Sequence, residues 1–340
     1  MAPSTPHPAP HMAPGTQHPA PLLPPTLQDI YAARARLRPY LPPTPLMKHP
    51  LLDEATGLDI WVKHENHNPT GAFKVRGGIN LVSTLDPEER ARGIVTASTG
   101  NHGQSIALAS RLNGVACTVF VPAGNNPEKN AAMRAFGAVV DEGGADFDEA
   151  RGRCEQWARE TGARYVHSAN EPLLIAGVGT YALEVFETLP DADVVLVPIG
   201  GGSGACGLIT VRNAIGSAAR IIGVGARNAD AIERSWRGSE RVVGASANTF
   251  AEGIATRVTF DLTFGILKQH LDDFVLLTEE ELAEGVRLAM RATHNLTEGA
   301  GSASLAAASK LAGSLAGQRV VCVMSGGNLD HAKLRWIVGA

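Results

Sequence analysis

Short apolar runs alternate with longer amphipathic stretches along most of the chain, and glycines mark the joins. Leu58–Lys63, Gly93–Ala97, Ala116–Val121, Ala138–Val140, Arg164–His167, Asp193–Ile199, Ile221–Val224 and Val320–Met324 read as strands. Asp193–Ile199 carries apolar residues without alternation, the pattern of a strand covered on both faces. Between these runs, helical spacing covers Lys74–Leu85, Gly103–Leu112, Pro127–Phe136, Asp146–Thr161, Ile175–Leu189, Cys206–Ile215 and Ser302–Ala312. A further helix runs from Thr26 to about Arg38, and another opens at Thr278 with three glutamates in its first turn. Pro39, Pro42, Pro43 and Pro45 force an extended passage between the first helix and the first strand. Strand–helix alternation of this kind predicts an α/β fold with a parallel, doubly wound sheet, whose ligands bind at the carboxyl ends of strands.

Composition narrows the function. The 340 residues suffice for two domains or one with a subdomain, and 44% hydrophobic residues supply a core. Residues 1–25 are rich in Pro, His and Ala without a charged side chain, and are expected to be a disordered tail. They lack the pattern of a signal or transit peptide, and no later run is suited to spanning a membrane. A net charge of −4 without a Lys/Arg cluster argues against nucleic acid. Cys117, Cys154, Cys206 and Cys322 are widely spaced, with no metal-binding pattern, and read as reduced structural thiols of a cytoplasmic protein.

The candidate chemistry sits in Asn68–Gly78, where Lys74 lies between apolar Phe73 and Val75 after a Pro-Thr-Gly turn. An apolar setting lowers an ammonium pKa, as a Schiff-base lysine requires. Three loops follow strand ends: Ser98-Thr99-Gly100-Asn101-His102-Gly103, Gly200-Gly201-Gly202-Ser203-Gly204 and Ser325-Gly326-Gly327-Asn328. The second suits an anion, because consecutive glycines let backbone N–H groups approach a phosphate at a helix start. On their own, the first and third read as capping turns. The second also spells the dinucleotide fingerprint through Gly202, Gly204 and Gly207, which would make the chain an NAD-dependent dehydrogenase. That reading needs an acidic residue after the next strand, where the chain has Gly225-Ala226.

The Pro-Thr-Gly-Ala-Phe-Lys-Val-Arg-Gly, Ser-Thr-Gly-Asn-His-Gly, Gly-Gly-Gly-Ser-Gly, Glu298-Gly-Ala-Gly and Ser-Gly-Gly-Asn motifs, in that order, resemble the pyridoxal-phosphate enzymes of the tryptophan-synthase-β fold (fold type II). Within that fold the chain is most similar to threonine/serine dehydratases and serine racemase. The resemblance implies a large cofactor-binding domain of residues 26–84 and 171–340. A smaller α/β domain, residues 85–170, would be inserted in it and close on substrate. It implies that Lys74 carries pyridoxal 5′-phosphate as a Schiff base, that Phe73 packs near it and that Asn101 bonds its ring oxygen. Gly200, Gly201, Gly202, Ser203 and Gly204 would hold the phosphate, and Ser325 would face the ring nitrogen. Ser98, Thr99, Gly100 and His102 would line the substrate carboxylate, Thr99 being a further catalytic candidate, and Glu298 would stand behind the site. The implied reaction is β-elimination from a β-hydroxy-α-amino acid of the threonine/serine type, including bulkier ones such as phenylserine, by a homodimer. A racemase or β-replacing enzyme is the alternative. A neutral Ser325 hydroxyl does not enforce a protonated ring nitrogen, and this favours elimination over a long-lived carbanion.

Several positions depart from the family pattern. Thr99 stands where the racemase carries a serine, so racemisation is disfavoured. Ser203 replaces the fourth glycine of the common loop. Gly225 and Ala231 occupy the positions that carry carboxylates in divalent-metal-dependent members, so no metal is expected there. Feedback control by isoleucine is not expected, because little chain follows Asn328. His64 and His67 read mainly as parts of a polar loop, and Glu279–Glu281 as a solvated helix start.

Overall fold

The computed structural model describes residues 22–339. Among the described residues, ten strands form two sheets. Strands β1 (Leu46–Lys48), β2 (Asp59–His64), β7 (Val194–Pro198), β8 (Arg220–Ala226), β9 (Asp273–Leu277) and β10 (Arg319–Met324) make a six-stranded sheet in the order β1-β2-β10-β7-β8-β9. Strands β3 (Ile94–Ala97), β4 (Cys117–Val121), β5 (Val139–Glu142) and β6 (Arg164–Tyr165) make a second, wholly parallel sheet in the order β5-β4-β3-β6.

The large sheet is apolar on both faces because both faces are covered. Val195 and Val197 of β7, with Val321 and Val323 of β10, enter one cluster with the Pro172–Thr188 and Ser203–Ala214 helices. Val194 and Leu196, with Val320, Cys322 and Met324, enter the opposite cluster with the Gly299–Lys310 helix. Successive residues thus serve opposite layers, the period-two rule of a strand.

Some expectations need correction. The sheet is not wholly parallel: β1 pairs antiparallel with β2 at one edge, three residues long. The prolines before it donate no N–H groups, so pairing begins only where they end. Strand β6 stops at Tyr165 rather than His167. The expected tail is too long at its inner end, since Leu22 packs on the core and Pro25 is buried. Residues 1–21 of that tail lie outside the described residues. All four cysteines are buried and free, as a set of structural thiols should be. Among the described residues, no helix is long and apolar enough to cross a membrane.

The Lys74–Ser83 helix lies between the layers, packed on the Asn101–Leu112 and Pro172–Thr188 helices. Its Val75, Ile79, Leu81 and Val82 join the apolar cluster of the small sheet. The carboxyl ends of β2, β3, β7 and β10 lead directly into the lysine turn and the three loops. Strand β10 sits between β2 and β7, which brings the last loop beside both the lysine turn and the glycine loop.

Candidate active site

The turn before Lys74 is tied to the loop after β10. Phe73 N–H donates to the Ser325 carbonyl at 3.0 Å, and Gly327 N–H donates to the Gly71 carbonyl at 2.8 Å. The Asn328 amide donates to the Thr70 carbonyl at 2.8 Å and to Asn101 Oδ1 at 2.7 Å. Lys74 then opens its helix, and its carbonyl accepts from Ser105 Oγ at 2.6 Å.

The glycine loop faces the lysine. Lys74 Nζ lies 3.4 Å from Ser203 Oγ, the first residue of the Ser203–Ala214 helix. Gly202 precedes that helix with φ +92°, a conformation side-chain-bearing residues rarely adopt. No side chain caps the helix start, which leaves its first-turn N–H groups available to an anion. A Cβ at Gly200 would collide with the Gly253 carbonyl oxygen, so the loop is backed tightly by residues 252–254. Gly207, the third glycine of the dinucleotide pattern, instead packs on Gly179 between two helices. Phe73 lies beside Gly204, and Tyr181 donates from its hydroxyl to the Gly204 carbonyl at 3.0 Å. Tyr181 is buried and was not read from the sequence. Nothing in the apolar run around it sets it apart.

Asn101 joins the remaining motifs. Its amide donates to Glu298 Oε1 at 2.6 Å, and Glu298 N–H donates to the Gly326 carbonyl at 3.2 Å. Glu298 therefore stands directly behind Asn101. The four residues expected around a substrate carboxylate divide. Thr99 and Gly100 keep accessible surface. Ser98 is buried, and its hydroxyl accepts from the N–H groups of Gly103 and Gly100 at 2.9 and 3.2 Å, so it shapes the loop. The His102 ring turns inward, with Nε2 3.0 Å from Thr96 Oγ1. The imidazole is thus engaged elsewhere. Ser325 is buried, and its hydroxyl makes a long contact, 3.5 Å, to the Ala300 carbonyl.

Burial sets the electrostatics. Lys74 keeps some surface but is otherwise surrounded by protein, and the loss of hydration lowers its ammonium from 10.5 to about 8. His102 is pushed down to about 3 by burial and then by the Lys74 charge, so its ring is neutral. Burial pushes the Glu298 carboxyl above its ordinary range, against the opposing charge of Lys129. His64 and His67 are occupied outside this group. His64 Nε2 lies 2.9 Å from His49 Nε2, and His67 Nε2 lies 2.6 Å from Asn295 Oδ1.

A reactive amine with depressed basicity, an uncapped glycine-loop helix start and an amide wedged beside them fit a phosphorylated aldehyde cofactor. The chain matches the family described as "Pyridoxal-phosphate dependent enzyme" over residues 37–326. It is a pyridoxal-phosphate dependent enzyme of that family.

Among relatives of this pyridoxal-phosphate enzyme is the L-threonine ammonia-lyase of Thermotoga maritima, 39% identical over 308 residues, covering 90% of this chain and 76% of that one. The L-threonine dehydratase catabolic TdcB of Staphylococcus aureus is 33% identical, covering 92% of each chain. Among solved structures, maize serine racemase superposes with TM-score 0.88 at 28% identity, over 93% of this chain and 98% of that one. The T.th. threonine deaminase superposes with TM-score 0.85 at 33% identity, over 90% and 99%. The fold type II expectation holds, and the family match displaces the dehydrogenase reading.

Proposed function

We propose that this enzyme is an ammonia-lyase that dehydrates a β-hydroxy-α-amino acid of the threonine/serine class to a 2-oxo acid and ammonia. The observation that carries the proposal is the convergence of Lys74 Nζ, the uncapped Gly200–Ser203 turn and Asn101 held by Glu298 and Asn328. The similarity to L-threonine ammonia-lyases supports it.

Lys74 would hold pyridoxal phosphate, Gly200–Gly204 its phosphate, Asn101 its ring oxygen and Ser325 its ring nitrogen. Bound there, the cofactor withdraws electrons from the substrate Cα. The chain supplies the rest. Thr99, just ahead of the Asn101–Leu112 helix, receives the substrate carboxylate on its backbone N–H and hydroxyl, while the Gly100 N–H stays with Ser98 and holds the loop's shape. Lys74, whose ammonium burial lowers to about 8, has a neutral fraction at physiological pH and takes the Cα proton on Nζ. The β-hydroxyl leaves as water with one proton, equal to the one that Lys74 Nζ takes from Cα, so that water is the net loss and the lysine is returned to its starting state. The released enamine hydrolyses to the 2-oxo acid and ammonia. Asn101, pinned on both sides of its amide, loses little orientational freedom when the ring arrives. The Thr99 methyl narrows the side from which a second proton carrier would work, which disfavours racemisation. The expected homodimer belongs to the same proposal.

Space at Gly225 supports independence from the divalent metal of some relatives. A side chain there would begin 2.9 Å from Phe274 Cε1, so a carboxylate could enter only by displacing that ring. The test is one assay on the purified holoenzyme with threonine, serine, phenylserine and 3-hydroxyaspartate. The expected result is a 2-oxo acid and ammonia from at least one of them, with no accumulation of the D-enantiomer and no change on chelation. Efficient D-serine formation without 2-oxo acid would replace the proposal by the racemase reading.

A further inference from the structure

Lys129 is a buried cation that the reaction above does not use. It sits in the first turn of the Pro127–Ala135 helix, is 7% exposed, and pairs through Nζ with Glu252. Glu252 also pairs with Lys333, whose Nζ lies 2.6 Å from Asp330 Oδ2. The Pro127–Ala135 helix follows strand β4 of the small sheet, whereas residues 252–254 pack against the Gly299–Lys310 helix of the large sheet. The pair therefore spans the two sheet layers across 123 positions of sequence.

One end of the pair lies against, and the other end adjoins, a loop proposed to bind an anion. Lys129 lies under the carboxylate loop, since a Cβ at Gly100 would stand 3.6 Å from its Cδ and 3.8 Å from its Nζ. Asn130, the next residue, holds Asn125 at 2.5 Å, and the same Asn125 amide reaches the Thr99 carbonyl at 3.5 Å. On the other side, Gly253 follows Glu252 directly and backs the Gly200 turn. One ion pair thus links the floor of the loop at 98–103 to the floor of the loop at 200–204. A buried ammonium is costly to desolvate and stays charged only where a partner is fixed beside it.

We infer that Lys129 and Glu252 are positioning residues that clamp the carboxylate loop in register with the glycine loop. The pair sets how well the amino acid's carboxylate is held, while the proton chemistry at Lys74 is left alone. This rests on the proposal that residues 98–103 receive that carboxylate. A lost clamp lets the loop relax away from the substrate, and misplacements of about 1 Å are known to cost up to about 100-fold.

The test uses K129M, E252Q, their double variant and K129R. In the holoenzyme, each single variant should raise KM about 10- to 100-fold with kcat changed by less than about threefold. The double variant should be no worse than the weaker single, because the two side chains act as one unit. K129R should retain most of the parental KM. In cofactor-free protein, amide hydrogen exchange at residues 99–104 should quicken in K129M and E252Q while the 172–188 helix is unchanged. That second readout does not depend on turnover, so a wild-type enzyme without lyase activity would defeat the proposed function and leave the clamp testable. Unchanged exchange and KM in E252Q, or independent additive effects in the double variant, would overturn the inference. Should K129M fail to fold, E252Q alone decides the matter, because Glu252 is itself partly exposed.

Discussion

Lys74→Ala is expected to lower turnover by at least about 10⁴-fold, because in the proposed mechanism the variant loses both the covalent anchor and the base. The two losses are separable. The variant should bind pyridoxal phosphate weakly through the Gly200–Gly204 turn, without the yellow visible band that borohydride abolishes in the parent. An added primary amine should restore part of the colour without comparable turnover, since a free amine lacks the placement that the Lys74–Ser83 helix gives Nζ. Wild-type-like 2-oxo acid production by Lys74→Ala would rule out the lysine as base. The same residue carries a stability signature. The unfolded chain holds the Lys74 proton up to 10.5, whereas the folded apoenzyme releases it at about 8. Between those values the unfolded state binds more protons, so the apoenzyme gains stability as pH rises from about 8 towards 10.5. Lys74→Met should remove that slope and raise the apoenzyme's stability most at neutral pH and below. Thermal melts of both proteins across this range measure it.

Arg76→Met is expected to destabilise the fold by about 3–5 kcal/mol, the cost of leaving buried carboxylates without their cation. Arg76 lies two residues after Lys74, almost wholly buried, and is held by both partners at once. Its Nε donates to Glu65 Oε2 at 2.7 Å, and Nη1 donates to Glu184 Oε1 at 2.6 Å and Thr180 Oγ1 at 3.1 Å. Lys63 closes the cluster by pairing with Glu184. Burial alone would raise the Glu65 carboxyl. The charges of Arg76 and then Lys63 overcome this and hold it below its ordinary 4.5. This contribution is present above pH 4.5 and is lost as acid protonates Glu65. The cluster ties β2, the turn at Glu65–Asn68 and the Pro172–Thr188 helix to the start of the Lys74 helix. Urea titration should therefore show a lower midpoint for Arg76→Met, with the acid limb of its stability profile flattened. A stability within about 1 kcal/mol of the parent, the value of an exposed pair, would show that the cluster is not the anchor of this helix.

Much of the site was legible because its motifs are short and continuous. Lys74 with its apolar neighbours, the glycine loop after the most apolar strand and the Ser325–Asn328 loop each declare themselves within a few residues. Strand β7 was readable for the same reason, since only a doubly covered strand tolerates Val-Val-Leu-Val without alternation. What escaped depends on partners far away in sequence. Lys129 looks like an ordinary helix-start lysine until Glu252 is seen beside it, and Arg76 looks like a helix-surface charge until Glu65 and Glu184 surround it. The direction of His102 was also hidden. Both an inward and an outward ring are compatible with its helix, and the choice is made by Thr96 on the strand beneath. The antiparallel β1 was masked by prolines that suppress any strand pattern.

The place of β10 has a consequence for how the enzyme is made. Translation delivers residues in order, yet the strand that separates β2 from β7 is Arg319–Met324, near the end of the described chain. While the nascent chain still lacks it, β2 and β7 each keep an unsatisfied edge in the middle of the future sheet, the kind of edge that recruits other chains. The small sheet, complete by Tyr165, can form early on the ribosome, but the proposed cofactor cradle cannot. Assembly of that cradle is therefore a late event in synthesis. Between the emergence of β7 and the arrival of β10, the large sheet has two strand edges open that the finished fold closes.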